Sequence, residues 1–151
     1  MFKEIDRESM REVFQPSRIV LAIAFDEKKG RYNFIPIAFN MYAGYTPLTF
    51  CFAIHNINYS FTLFEQIDKY CISIPGEKLA WQILEAGLVS GKELDKFELF
   101  GLTPYFISND STCGIEECLI NVFCEKTAFL ISFIPQASRA LKTACFAVST
   151  P

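Results

Sequence analysis

Two apolar runs near the N-terminus constrain the fold more than any other feature. Ile19 to Phe25 (IVLAIAF) is a continuous stretch rich in β-branched residues, broken by Asp26-Glu27-Lys28-Lys29-Gly30 and resumed from Tyr32 to Phe39. Runs of this kind around a short polar cluster that ends in glycine predict a β-hairpin. Pro36 has no amide hydrogen to give a neighbour, so the second strand is expected at a sheet edge or a bulge. Asn40 to Pro47 (NMYAGYTP) reads as a loop and Leu48 to Ile54 (LTFCFAI) as a third strand. From Tyr59 the period becomes helical, with Phe61, Phe64 and Ile67 on one face, Leu63 beside them and Asn58 at the N-cap. Tyr70 to Ile74 returns to strand and stops at Pro75-Gly76. Leu79, Trp81, Ile83 and Leu84 mark a second short helix running into Gly87. Ser90 to Phe97 is polar and turn-like, opening a third helical turn that ends near Gly101 and Pro104. Ile115 to Cys124 (IEECLINVFC) reads as a strand buried on both sides. At the start of the chain, Ser9 and Glu12 have capping-box spacing, and Pro16 keeps any helix there short. Strands, inserted short helices and strands again predict a mainly β, α+β architecture: a β-barrel or sandwich with helical additions.

Charge and cysteine usage exclude several classes of function. Fourteen Lys and Arg against 17 Asp and Glu give a net charge of −3, the wrong sign for neutralising phosphates, so nucleic acid is not an expected ligand. Half of the residues are hydrophobic (51%) and 15% aromatic, more than a disordered chain carries, and the excess suggests a partner surface. Met1 to Arg11 is densely charged where a secretory signal would be apolar, and Thr127 to Pro135 is too short to span a bilayer, so the expected location is the cytoplasm, away from membranes. The six cysteines form no CxxC pair and His55 is the single histidine. The expectation is reduced, buried thiols and no metal site. With no GxSxG, GxGxxG or GxxxxGK[ST] pattern, neither a nucleophile elbow nor a dinucleotide or P-loop phosphate site is expected. No side chain is assigned an acid, base or nucleophile role. Glu116 and Glu117, adjacent on the expected strand, would face opposite sides.

Two segments remain as candidate ligand contacts. The start of the Tyr59 helix offers free amides and short polar side chains from Asn58, Tyr59 and Ser60, an anion site or simple capping. Ser90-Gly91-Lys92 with Asp95-Lys96-Phe97 places flexible backbone, two cations and an aromatic ring within eight positions, to meet an anionic or planar ligand or to form a solvated loop anchored by Phe97.

Taken in order, the segments from Ser17 to Lys126 resemble the flavin reductase-like proteins of the FMN-binding split β-barrel class, close to the flavoredoxin branch. Ala86 to Phe97 (AGLVSGKELDKF) with Gly101-Leu102-Thr103-Pro104 is similar to that family's G-x-x-S-G-[RK]-x-x-D-K-F … G-L-T signature. Asn33 with Ile37-Ala38-Phe39, Thr46-Pro47, Tyr59-Ser60-Phe61, Tyr70 to Pro75, and Ile115 to Cys118 with Cys124 resemble further pieces of it in the same order. The resemblance implies one domain over 1–151 that binds FMN near the interface of a homodimer. It also implies passage of electrons from NAD(P)H or a redox partner protein, with the flavin supplying the redox chemistry. It places Ile37, Ala38, Phe39 and Asn40 along the flavin ring, with His55, Asn58, Tyr59 and Ser60 near the phosphate. Ser90, Gly91, Lys92 and Lys96 would meet the flavin rim or the phosphate across the dimer. Pro36, His55 and Asn58 stand where the family carries Thr or Arg, implying looser phosphate and ribityl contacts. Beyond Lys126 the only charged residues are Arg139 and Lys142. This atypical tail (127–151) either supplies a substitute strand or leaves the barrel without its usual C-terminal strands. The alternative is a non-catalytic, flavin-binding or flavin-free dimeric relative; a pyridoxamine phosphate oxidase-like enzyme is a third reading on the same barrel.

Overall fold

The computed structural model describes residues 18–46, 48–107, 111–134 and 141–149, with the backbone alone beyond Ala128. The helix signal at Ser9 and Glu12 lies outside these residues, as does Pro47. In chain order the elements are β1 (Val20–Asp26), β2 (Arg31–Ile37), β3 (Asn40–Tyr45), β4 (Leu48–His55), α1 (Tyr59–Gln66) and β5 (Lys69–Ile74). A 3₁₀ turn (Glu77–Leu79), α2 (Ala80–Leu88), α3 (Lys96–Phe100), β6 (Pro104–Phe106), β7 (Cys113–Ile115), β8 (Ile120–Ile134) and β9 (Leu141–Ser149) complete them.

Seven strands form one sheet in the order β2-β1-β5-β8-β9-β4-β3, and β6 pairs with β7. The end strands of that order, β2 and β3, are joined only by Ala38 and Phe39. In a flat sheet they would lie roughly 29 Å apart, six strand spacings, whereas three Cα steps reach at most about 11 Å. The sheet therefore curls back on itself as a barrel. Its interior holds Val20, Ala22 and Ala24 of β1, Phe52 and Ile54 of β4, Tyr70 and Ile72 of β5 and Cys124 of β8. Helix α1 closes one end with Phe61, Leu63 and Phe64. Phe52, Phe64 and Tyr70 pack edge to face there, with centroids 5.2–5.7 Å apart.

A second apolar layer explains the unbroken run in β1. Leu21 and Ile23 point out of the barrel and are covered with Phe34, Cys71, Leu79, Ala86, Phe97 and Ile115 under α2, α3 and β7. A strand buried on both faces has no reason to alternate. The β1-β2 hairpin is in register from Val20↔Ile37 to Asp26↔Arg31 and closes through Gly30, whose φ of 63° suits glycine. Pro36 lies on β2, at the end of the sheet order, where a missing donor costs no ladder bond.

Two expectations are corrected and two readings are borne out. Asn40 to Tyr45 is a strand rather than a loop: it pairs with β4, and the Gly and small residues mark a bulge between Tyr42 and Gly44. Ile115 to Cys124 is two strands with a turn between them, because Asn121 turns its amide back onto Ile115, accepting from its N–H (3.0 Å) and donating to its carbonyl (2.9 Å). Helix α2 forms where Leu79, Trp81, Ile83 and Leu84 mark it, with Trp81 and Leu84 on its outer face at 69% and 59% exposed and Ala86 packed inward. Of the two readings of the tail, the substitute strand holds: β8 continues to Ile134, and β9 pairs with β8 on one side and β4 on the other, completing the sheet.

Candidate functional site

The expected ligand residues fall along β2 and the elements beside it. At one end Ile37 is buried in the barrel and Phe39 is 76% exposed. The Asn40 side chain folds back to donate to the carbonyls of Arg18 (2.8 Å) and Ile37 (3.0 Å), fixing the Ala38-Phe39 corner. The Phe39 carbonyl accepts from the Ala53 amide at 2.9 Å, which brings the corner within two residues of His55. His55 stands at the end of β4, and its Nδ1 accepts from the Ile57 amide (3.2 Å). With Nδ1 accepting, Nε2 is the ring nitrogen left to donate. Asn58 occupies the N-cap position of α1 with extended backbone, but its side chain makes no capping bond. This corrects the expected side-chain cap. The amides of Tyr59 and Ser60, in the first helical turn, have no intrahelical acceptor.

The Tyr59 and Ser60 side chains are engaged elsewhere. The Tyr59 hydroxyl donates to Asp26 Oδ2, and burial together with this bond pushes the phenol up to about 12. Lys29 Nζ lies 4.7 Å from the Tyr59 ring centroid. The Ser60 Oγ is buried and accepts from Asn33 Nδ2 at 2.9 Å. Asn33 in turn packs against Gly91, where an added Cβ would stand 1.7 Å from its Oδ1. The Gly91 carbonyl accepts from Arg31 Nη2 at 3.1 Å, and the Lys92 carbonyl from Lys29 Nζ. The structure thus joins Tyr59, Ser60, Gly91 and Lys92 through Asp26, Lys29, Arg31 and Asn33. Of these four linking residues, Asp26 and Lys29 read from the sequence as part of a turn, and Arg31 carries no signal of its own. Buried carboxylates are rare, and Asp26 at the end of an apolar run was the available signal.

Ser90 and Lys92 are exposed, whereas Lys96 is 4% exposed. Its Nζ donates to the Ala86 carbonyl at 2.7 Å and sits 5.5 Å from the Phe34 ring centroid. The lysine head is thus buried between the Ala86 carbonyl of α2 and the Phe34 ring of β2. Asp95 caps α3 by accepting from the amides of Phe97 and Glu98, and Gly101, at φ 62°, ends it. The SGKELDKF segment is thus a complete helix-start motif with a buried lysine.

Desolvation lowers Lys96 to about 8 from its ordinary 10.5. The unfolded chain then binds the extra proton between pH 8 and 10.5, so this lysine's contribution makes the fold more stable as pH rises through that window. Urea titrations of the protein and of Lys96→Met are expected to show the difference between them shifting in favour of the protein from pH 8 to 10.5. A constant difference would place the lysine head in water.

Among the described residues no cluster of His, Cys, Asp and Glu could hold a metal ion, and no helix is long and apolar enough to cross a membrane.

No family model matches the chain. A curated relative, the uncharacterized protein YddH of Escherichia coli (strain K12), is 30% identical over 83 residues, 55% of this chain and 44% of that protein. The match therefore spans less than half of that relative's length. Among solved structures, flavoredoxin from Methanosarcina acetivorans superposes with a TM-score of 0.80 at 17% identity, over 99% of this chain and 73% of that one. Nitrilotriacetate monooxygenase component B from Bacillus cereus gives 0.76 at 16%, over 98% and 79%. An FMN-binding protein from Thermus thermophilus gives 0.76 at 16%, over 99% and 78%. The curled sheet, the α1 plug and the outer α2-α3 layer are thus the split-barrel fold of the flavoredoxins and flavin reductases.

Proposed function

We propose that this chain is an FMN-binding, flavin reductase-like oxidoreductase of the cytoplasm, a single domain acting as a homodimer. The observation that carries the reading is the superposition of nearly the whole chain on an FMN-binding protein and a flavoredoxin, to which the SGKELDKF segment adds its resemblance in sequence. Bound flavin would take electrons from NAD(P)H or a redox partner protein and pass them on.

The residues present fit such a group at one end of the strip. The exposed Phe39 and the Ala38 corner offer a surface for a planar ring. His55 Nε2–H, the uncapped Asn58 side chain and the first-turn amides of Tyr59 and Ser60 are donors for a phosphate at a helix N-terminus. Exposed Lys92, with Lys29 and Arg31 beside it, adds positive charge. β3 forms one end of the sheet order and exposes Met41, Tyr42 and Tyr45, an apolar edge suited to a second copy.

The engagement of Ser60 with Asn33 and of Lys96 with Ala86 favours one second reading: a relative that holds flavin weakly or not at all. Titration of FMN followed by flavin fluorescence separates the two. Micromolar binding, with bands that bleach anaerobically on NADH or NADPH, is expected, and His55→Ala with Asn58→Ala should weaken it about tenfold or more. Flavin that stays free at 100 μM would leave the second reading.

A further inference from the structure

The two ends of the barrel are not alike. At the α1 end Phe52, Phe61, Phe64 and Tyr70 fill the interior. At the other end lies a cavity of about 430 Å³, whose described lining includes Val20, Phe50, Ile72, Ile74 and Val122, with Arg18 and Asn40. Ile72 is sealed, while Ile74, Phe50 and Val122 stay partly open and Leu48 is 39% exposed. The inward row of β5 and β8 thus emerges into a space that no described side chain fills.

The chemistry of the lining selects a ligand. An apolar cavity of ~150 Å³ stays dry and takes up benzene, so one nearly three times larger suits an apolar body of roughly ten to fourteen carbons. Among the described residues of the lining, Arg18 is the one that carries a charge. It is exposed, and among the described residues no carboxylate pairs with its guanidinium. A guanidinium beside an apolar cavity matches a carboxylate at the end of an apolar chain.

We propose that the open end of the barrel binds an amphipathic monocarboxylate, with its apolar body between β1, β4, β5 and β8 and its carboxylate at Arg18. This site rests on the barrel geometry and does not require flavin to bind.

Calorimetric titration of the full chain with decanoate, decanol and decyltrimethylammonium, each below its micelle concentration, tests it. Decanoate is expected to bind one per chain in the micromolar range, with decanol about tenfold weaker and the cationic analogue weaker still. Arg18→Gln, at an exposed position, should cost decanoate about tenfold and leave decanol unchanged. Val122→Trp, or Ile74→Phe if the first variant does not fold, should abolish both. Absence of decanoate binding at millimolar concentration would overturn the proposal, as would equal binding to Arg18→Gln or to a folded cavity-filled variant. Binding that strengthens as the protein is diluted would show a second copy occupying the cavity and would also overturn it. Competition by FMN would assign the cavity to the flavin and overturn it likewise, whereas failure of FMN to bind leaves the decanoate result standing.

Discussion

Between pH 9 and pH 11 the fold is expected to lose about 3 kcal/mol of stability per pH unit through Cys71, Cys113 and Cys124 together. All three thiols are sealed in the core, at 0%, 0% and 5% exposed. Burial raises Cys71 and Cys124 to about 12 and Cys113 to about 11, from 9 in an open chain. Each therefore stays protonated in the fold while its unfolded counterpart ionises. The stabilisation is complete below pH 9 and is withdrawn as pH climbs toward the raised values. Cys118, pushed to about 12 by burial and the nearby Glu117 charge, adds in the same direction. Lys96 opposes them up to pH 10.5, one group against four. Since a domain this size holds only ~5–15 kcal/mol in all, cooperative unfolding should arrive near pH 11. Urea titrations in reductant at pH 8, 9, 10 and 11 measure the slope. A triple Cys→Ala variant, less stable at pH 8 but flatter above pH 9, would confirm its source. A stability unchanged from pH 9 to 11 would show that the thiols ionise within the fold.

Gly91→Ala is expected to cost about 3 kcal/mol and to lower Tm by on the order of 10 °C. Its new methyl would stand 1.7 Å from Asn33 Oδ1, so the amide must leave Ser60 and strand two buried polar groups at ~1–3 kcal/mol each. The same substitution at Gly87, inside α2 with nothing within 4 Å, should instead stabilise by ~0.5–1 kcal/mol. Combining Gly91→Ala with Asn33→Ala removes the clash, and the pair should cost less than the sum of the single changes. Additive costs would show that Gly91 and Asn33 do not press on one another. If the strip along β2 also positions FMN, Gly91→Ala should weaken FMN binding even in the protein that remains folded.

Much of the fold was legible because its signals are local. The hairpin from Val20 to Ile37 needs only two apolar runs and a turn that ends in glycine. Asp95 and Gly101 bracket α3 with the residues that cap and terminate helices. The Asn40 to Tyr45 strand was not legible, since its Gly and small residues carry a bulge and its bonding depends on β4. The break between β7 and β8 was hidden for a related reason: Asn121 clasps the Ile115 backbone across six residues and overrides an apolar run that reads as one strand.

For the site, the sequence located the segments but not the partners of their side chains. Tyr59 meets Asp26 across 33 positions, and Ser60 meets Asn33 across 27; no spacing rule reaches that far. Lys96 reads as a cation available to a ligand, and only the α2 layer over Phe34 turns it inward. What the sequence determined by itself was the set of local elements, through periodicity, turn chemistry and caps. What the tertiary structure decided was the closing of the sheet, forced by a two-residue link between its end strands, and with it which polar groups meet one another and which remain open to a ligand.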